Sequence, residues 1–459
     1  MSAPVTHRSA EEIGRTPAGP RALPDLGETR EVPLPEVVTE TLPSGLRVLV
    51  VRRAGVPMVE LRLRVPFAAP GGVGDPAFTA RAELLASGLF TGTTRHDRVG
   101  LDDALAAVGA DVGAGVDPER LLVHGSGLAE GLPEVLGLLG EVLTGATYPE
   151  AELLRERERL VERIAVARAQ PRTVAREALQ RRRFGSHPIA LEMPTGEAVA
   201  EAQPDAVRAL HTAGVVPTGS TLVVVGDLDP EAALAAVQER LGGWSSAGTA
   251  RELAAPPTPS AGPLELVHRP GSVQSQLRLT APALRRDEPG YAAFQLANLV
   301  FGGYFSSRWM ENVREDKGYT YGAHSGPEFV PGGAVLGVET DVASDVTAAA
   351  LLETRYELGR MVAVPPTPEE IDAARRYAIG SLLISLDSQG GLASTLASLD
   401  AVGLDVGWLR ERPVRLEAVT PDEVAEAALE FFAPERFTGV IVGDAEVVGP
   451  RLRALGGIA

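Results

Sequence analysis

The side chains available for metal or nucleophile chemistry are few. The 459 residues contain no cysteine, which excludes disulfides, thiolate metal sites and cysteine nucleophiles. Histidine, aspartate and glutamate are what remains to hold a metal. The seven histidines are His7, His96, His124, His187, His211, His268 and His324. No two stand at the i, i+4 spacing that places both imidazoles on one helix face, so each reads as a surface or packing residue. Gly302-Gly303-Tyr304-Phe305-Ser306-Ser307 lacks both the P-loop lysine spacing and the dinucleotide fingerprint and reads as a turn. Residues 155–183 alternate Arg and Glu at helical spacing, the pattern of a solvated, salt-bridged helix face. Ser388-Gln389-Gly390-Gly391 interrupts a helical region and reads as a hinge or a substrate-facing loop. Asp227 and Asp444 each follow a strand-like run and read as structural turns.

The elements that position these residues come in two copies. Val51, Arg53, Gly55 and Leu61-Arg62-Leu63 recur as Val267, Arg269, Gly271 and Leu277-Arg278-Leu279. Val225-Gly226-Asp227 recurs as Val442-Gly443-Asp444, and Leu241-Gly242-Gly243 as Leu455-Gly456-Gly457, at nearly the same offset. A period this long makes each half a domain with its own core, not a solenoid unit. The expected division is a polar, Pro-rich arm over 1–37, a domain over 38–244, a linker over 245–263 rich in Ala, Pro, Ser and Thr, and a second domain over 264–459. Strand-like runs at the ends of each half (46–51, 59–65, 221–225, 439–442) enclose helical stretches (79–89, 131–143, 149–170, 295–300, 368–386). That order predicts an α+β fold, each half a mixed or antiparallel sheet with helices packed on one face. The net charge of -18 opposes binding to nucleic-acid backbones, and no apolar run approaches the ~18 residues of a membrane span. The arm has no apolar signal-peptide core, so the expected location is cytoplasmic.

Several segments together resemble the M16 metallopeptidases, the pitrilysin-like and mitochondrial-processing-peptidase-like family. They are Leu42-Pro43-Ser44-Gly45-Leu46, Leu89-Phe90-Thr91-Gly92-Thr93, the Glu/Arg-rich helix after Tyr148-Pro149-Glu150, Gly185-Ser186-His187-Pro188, Gly302-Gly303 with Ser307-Arg308, and Arg314-Glu315-Asp316-Lys317-Gly318-Tyr319-Thr320-Tyr321. The resemblance covers about residues 38–450 and implies the metallohydrolase fold shared by LuxS and the processing peptidases. It also implies where a zinc site would lie. The family's H-x-x-E-H helix supplies two histidine ligands and a glutamate base, and these positions fall on Glu83, Ala86 and Ser87. The third ligand falls on Arg163, with Glu162 beside it. No imidazole, no base and a cation at the third position exclude zinc by ligand type and count. Two readings of Glu83 and Arg163 stay open: a salt bridge in place of the metal, or two separately solvated side chains.

The family's C-terminal domain contributes an arginine and a tyrosine that hold the substrate backbone and the reacting carbonyl. The resemblance places them at Arg314 and Tyr321. A guanidinium can fork onto a carbonyl or carboxylate, and a phenol can donate to a developing oxyanion. The competing reading pairs Arg314 with Glu311 or Glu315 and packs Tyr319 and Tyr321 in the following strand. A retained Arg/Tyr motif beside an erased zinc motif implies the non-catalytic, zinc-free subunit of a bacterial M16B-type heterodimer or higher assembly. The zinc and the intact H-x-x-E-H motif would then belong to the partner, with peptide or leader-peptide processing as the expected role. The alternatives are a structural or peptide-binding scaffold with no part in proteolysis, and a peptidase active by itself.

Overall fold

The computed structural model describes residues 34–459. Most of the expected arm, and His7 with it, lies outside the described residues. In the N-terminal half the strands are β1 (Val37–Thr41), β2 (Arg47–Arg52), β3 (Met58–Pro66), β4 (Asp111–Val116), β5 (Arg120–Leu128) and β6 (Thr221–Gly226). They form one sheet in the order β1-β2-β6-β3-β5-β4. The C-terminal half holds β7 (Leu264–His268), β8 (Gln274–Pro282), β9 (Ala323–Val330), β10 (Gly333–Ala343) and β11 (Thr438–Gly443), ordered β7-β11-β8-β10-β9. Apart from the extra edge strand β1, the second order repeats the first. In both sheets the last strand inserts between the first two of the shared set, parallel to one (β2/β6, β7/β11) and antiparallel to the other (β3/β6, β8/β11). These are the mixed sheets with helices that the α+β reading expects.

Strand composition explains which faces are buried. β3 reads Met-Val-Glu-Leu-Arg-Leu-Arg-Val-Pro, with Val59, Leu61, Leu63 and Val65 buried on the side of the N-terminal core, the period of two that a one-sided strand requires. β6 (Thr-Leu-Val-Val-Val-Gly) and β11 (Thr-Gly-Val-Ile-Val-Gly) are buried at every residue, so both faces of each sheet centre must be covered. The second cover comes from the other half. The helix Pro171–Phe184 leaves the N-terminal half to pack on β8 and β11, and its counterpart Gln389–Asp400 leaves the C-terminal half to pack on β3 and β6. Ala178 and Leu179 meet Val440 in the first contact. The exchange adds a second helical layer to the one-faced packing expected from sequence.

Polar contacts fix both helices at equivalent points. Arg182 donates to the hydroxyl of Thr438, the first residue of β11, at 3.1 Å. The hydroxyl of Thr221, the first residue of β6, donates to Asp400 at 2.7 Å. Asp400 also accepts from Arg47 at 2.8 Å, and Ser394 accepts from Arg62 at 3.1 Å. Arg183 is enclosed as well, 5% exposed. It forks onto Glu328 at 2.7 and 2.8 Å and reaches the Thr280 hydroxyl at 3.1 Å.

Two sequence readings change here. Residues 155–183 are not one helix: Glu150–Ala169 ends at Gln170, whose extended backbone (φ -80, ψ 126) precedes Pro171 and lets Pro171–Phe184 set off in a new direction. Ser388 makes the same break in the C-terminal half (φ -89, ψ 150) and caps the next helix by accepting from Gly391. Ser388–Gly391 is therefore a helix joint and a contact between halves, not a free loop. Gln389 donates to the carbonyls of Arg53 and Val56 at 3.0 and 3.1 Å, and a side chain at Gly390 would come within 3.3 Å of the Glu60 carboxylate.

Arg183→Leu tests the exchange. It strands the Glu328 carboxylate and the Thr280 hydroxyl and is expected to cost about 1–3 kcal/mol, less than a fully buried pair because Glu328 is partly solvated. Burial pushes the Glu328 carboxyl up, but the Arg183 hydrogen bonds and charge outweigh it and hold the group below its ordinary value. The stabilisation is therefore present above the unfolded glutamate pKa of about 4.3 and fades as pH falls through the lowered one. Urea midpoints of wild type and variant should differ at pH 7 and converge in acid.

Candidate functional site

The helix Pro76–Gly88 carries Glu83, Ala86 and Ser87, the three positions that the resemblance matches to a zinc motif. Asp75 caps it by accepting from the Ala77 amide at 2.9 Å, and Pro76 opens its first turn. Phe78, Ala82, Leu85 and Ala86 are buried in the N-terminal core. Glu83 and Ser87 lie half-buried, and the Ser87 hydroxyl turns back onto the Glu83 carbonyl at 2.7 Å. Arg163 is exposed on the neighbouring helix Glu150–Ala169. Burial pushes the Glu83 carboxyl up to about 7, and the Arg163 charge only opposes the shift. Glu83 and Arg163 form no ion pair within 4.0 Å, so the salt bridge offered as a replacement for the metal is not made. The residues do not fit zinc: one carboxyl is half-protonated near neutrality, one position is a buried methyl, one hydroxyl is engaged by backbone, and the last group is a cation.

No group of three or more His, Asp or Glu among the described residues is arranged to hold a metal ion. His96 and His211 have structural partners instead. His96 lies 2.9 Å from Glu141, a buried carboxylate that also takes Thr93 and Arg95. Burial raises the Glu141 carboxyl, and these partners more than reverse it. His211 bridges the Tyr148 hydroxyl (2.8 Å) and the Leu143 carbonyl (3.0 Å); if its Nε2 donates to that carbonyl, its Nδ1 accepts from the phenol. Tyr148 is fully buried with φ +47, and nothing in the sequence marks either member of this pair.

In the C-terminal half, Arg314 and Tyr321 sit on a rigid turn. The segment Glu311–Asp316 is π-helical, a widening found often at functional sites. It closes through Gly318, whose φ of +63 suits glycine, with its amide donating to the Arg314 carbonyl at 3.1 Å. Thr320 anchors the far side by donating to the Asp341 carbonyl at 2.8 Å. The Arg314 guanidinium lies 4.4 Å above the Phe305 ring, and its buried Nη1 is 3.2 Å from the Glu315 carboxylate, an ion pair without hydrogen-bond geometry. Tyr319 packs against the core, whereas Tyr321 is 97% exposed.

The two readings of this turn are thus divided: Arg314 does contact Glu315, and Tyr321 does not pack in a strand. Sequence reasoning missed Phe305, the platform under Arg314, because it lies in the segment read only as a turn. That segment begins with the π-helical run Leu299–Gly303, where a side chain at Gly302 would meet Ser325 at 2.8 Å and Trp309 at 2.9 Å. No hydrogen bond or ion pair among the described residues joins the Arg314–Tyr321 turn to the Glu83 helix.

Comparison with known proteins places this geometry. Residues 201–377 match the family described as the peptidase M16 inactive domain. An uncharacterized zinc protease of Streptomyces coelicolor is 25% identical over 92% of this chain and 94% of its own. The uncharacterized zinc protease YmxG of Bacillus subtilis is 23% identical over 68% of this chain and 76% of its own. Among solved structures, a peptidase M16 inactive domain from Pseudomonas fluorescens superposes with a TM-score of 0.80 at 23% identity, over 89% of this chain and 98% of that one. The periplasmic protease PqqL of Escherichia coli superposes with a TM-score of 0.74 at 18% identity, over 90% of this chain but 48% of that one. Residues 201–377 are thus similar to the M16 inactive domain, and the chain shares the fold of the M16-like structures.

Glu83→Gln checks the reading of the erased site. A carboxyl whose folded pKa is raised leaves the fold unpenalised below the unfolded value and destabilises it progressively as pH rises toward 7. The glutamine variant should match wild type near pH 4 and exceed it at pH 8 by on the order of 1–3 kcal/mol. Lower stability of the variant at pH 8 would instead indicate a working Glu83–Arg163 bridge.

Proposed function

We propose that this chain is the zinc-free subunit of a heteromeric M16 peptidase, presenting Arg314 and Tyr321 to substrate held at a partner's zinc site. The carrying observation is the contrast between the two half-sites. The positions matched to the metal site hold packing and backbone-bonded groups, while the Arg314–Tyr321 turn keeps a guanidinium whose carboxylate contact is the neighbouring Glu315, without a hydrogen bond at that nitrogen, and a free phenol. Groups held ready before substrate arrives need little reorganisation when charge develops. In this reading Arg314 holds a backbone carbonyl of the peptide and Tyr321 donates to the oxygen of the attacked carbonyl. The partner supplies the metal and the base.

The half-length match to PqqL supports the reading, because a chain of that length has room for a second unit of this size. The cavity between partners would admit extended peptides, and leader-peptide processing is the role we assign. The Glu315 contact favours the scaffold alternative in one respect, since it occupies part of Arg314. An exposed pair at 3.2 Å is worth at most about 1 kcal/mol, so a peptide carbonyl can displace it.

The chain purified alone should cleave no peptide, and activity should appear on mixing with an M16 subunit that has an intact H-x-x-E-H motif. Arg314→Ala and Tyr321→Phe should each lower kcat of the pair by about 100-fold or more, the usual scale for an oxyanion donor, with unchanged co-elution in gel filtration. Full activity of both variants would support the scaffold alternative.

A further inference from the structure

A second site lies away from the Arg314 turn. Four helices of the C-terminal half, Tyr291–Asn298, Pro368–Asp387, Gln389–Asp400 and Val406–Ala418, enclose a cavity of about 450 Å³. That volume is within the ~300–1,000 Å³ range of small-ligand pockets. Arg412 lines it and is 4% exposed, yet it forms no ion pair with any described residue, and its buried Nη2 has no hydrogen-bond partner. Its neighbours are the rings of Tyr291 at 4.7 Å and Trp408 at 5.3 Å. Two further cations act on it: Arg286, which shares the cavity, and Arg415, which pairs with Glu411. Arg286 has no carboxylate partner either; it stacks at 4.2 Å on Phe329 and donates to Ser398 at 3.3 Å.

Two ring contacts are worth roughly 1–2 kcal/mol each, whereas removing an unpaired cation from water costs several. A methionine at this position would fill the same space without that cost. Burial lowers the Arg412 pKa only to about 10, so the group is cationic at neutral pH. Beside it the Gln295 side-chain oxygen, an acceptor, is also buried without a partner. Two guanidinium groups without an anion, aromatic walls and a free acceptor have one complementary chemistry: a carboxylate carrying an apolar side group and an N–H.

We propose that this cavity binds an apolar carboxylate, its carboxyl between Arg412 and Arg286, its side group against Tyr291 and Trp408, and its N–H on Gln295. A peptide C-terminus and a free small acid share this chemistry. The proposal is independent of Arg314 and Tyr321.

Calorimetric titration of the full chain with N-acetyl-phenylalanine, its C-terminal amide and 3-phenylpropionate tests it. N-acetyl-phenylalanine should bind saturably, and the amide at least about tenfold more weakly, the loss expected for a charge-assisted contact. Phenylpropionate binding as tightly would make a free acid sufficient, and weaker binding would favour the peptide C-terminus; either supports a carboxylate site. Arg412→Met should lose the carboxylate preference while melting no lower than unliganded wild type, and Arg286→Gln, at a more exposed position, should weaken the acid without affecting the amide. No saturable binding of either acid at millimolar concentration, equal binding of acid and amide, or unchanged binding in both variants would overturn the proposal.

Discussion

Strands with valine, leucine and isoleucine on both sides cannot leave either face in water, and the middle of each sheet in this protein is built that way. β6 and β11 are buried at every position, but the helices of each half cover only one face. The other face is closed by a helix lent from the opposite half, through a chain break at Gln170 in one case and Ser388 in the other. At ~25 cal/mol per Å² of apolar surface, neither half could expose that face without losing much of its core energy. The two copies are consequently interlocked, and Pro35–Ala459 form one compact unit. Arg183, buried against Glu328 and Thr280, and Asp400, held by Arg47 and Thr221, fix the angle at which the halves meet.

That interlock constrains the chemistry. A zinc ion in such a fold can cross-link two helices, and here the helix Pro76–Gly88 stays docked without one, through Phe78, Leu85 and Ala86. The face of this helix that the resemblance matches to a zinc site serves here as packing surface, and burial is what raises the Glu83 carboxyl to about 7. The turn from Arg314 to Tyr321 is arranged differently. Its glycine, its π-helical widening and the Thr320 anchor hold Tyr321 outward with no packing return, while Arg314 lies half-buried on Phe305.

Much of the fold was legible because its signals are local or repeated. The two-residue period of β3, the repeat linking Leu61-Arg62-Leu63 to Leu277-Arg278-Leu279, and the all-apolar runs of β6 and β11 each dictate an element and its copy. The exchanged helices were not legible. Residues 155–183 look like one charged helix because the break depends on a single extended residue before Pro171, and the carboxylate partner of the buried Arg183 is 145 positions away. That Glu83, Ala86 and Ser87 offer no imidazole follows from residue identity alone. Whether Glu83 would meet Arg163 depended on side-chain placement between two helices, which no spacing rule supplies. Phe305 beneath Arg314 and the cation cluster at Arg412 were invisible for the same reason: each joins segments distant in the chain.

Tyr321 is the group whose environment separates a subunit that contributes to catalysis from one that merely assembles. Because the chain has no cysteine, Tyr321→Cys creates a unique attachment point for a short photo-crosslinker. With a peptide substrate present, capture of the peptide from this position only when a zinc-bearing M16 partner is added is the expected result. Absence of capture in a labelled pair that still co-elutes and binds the peptide would contradict a place for Tyr321 in the partner's site.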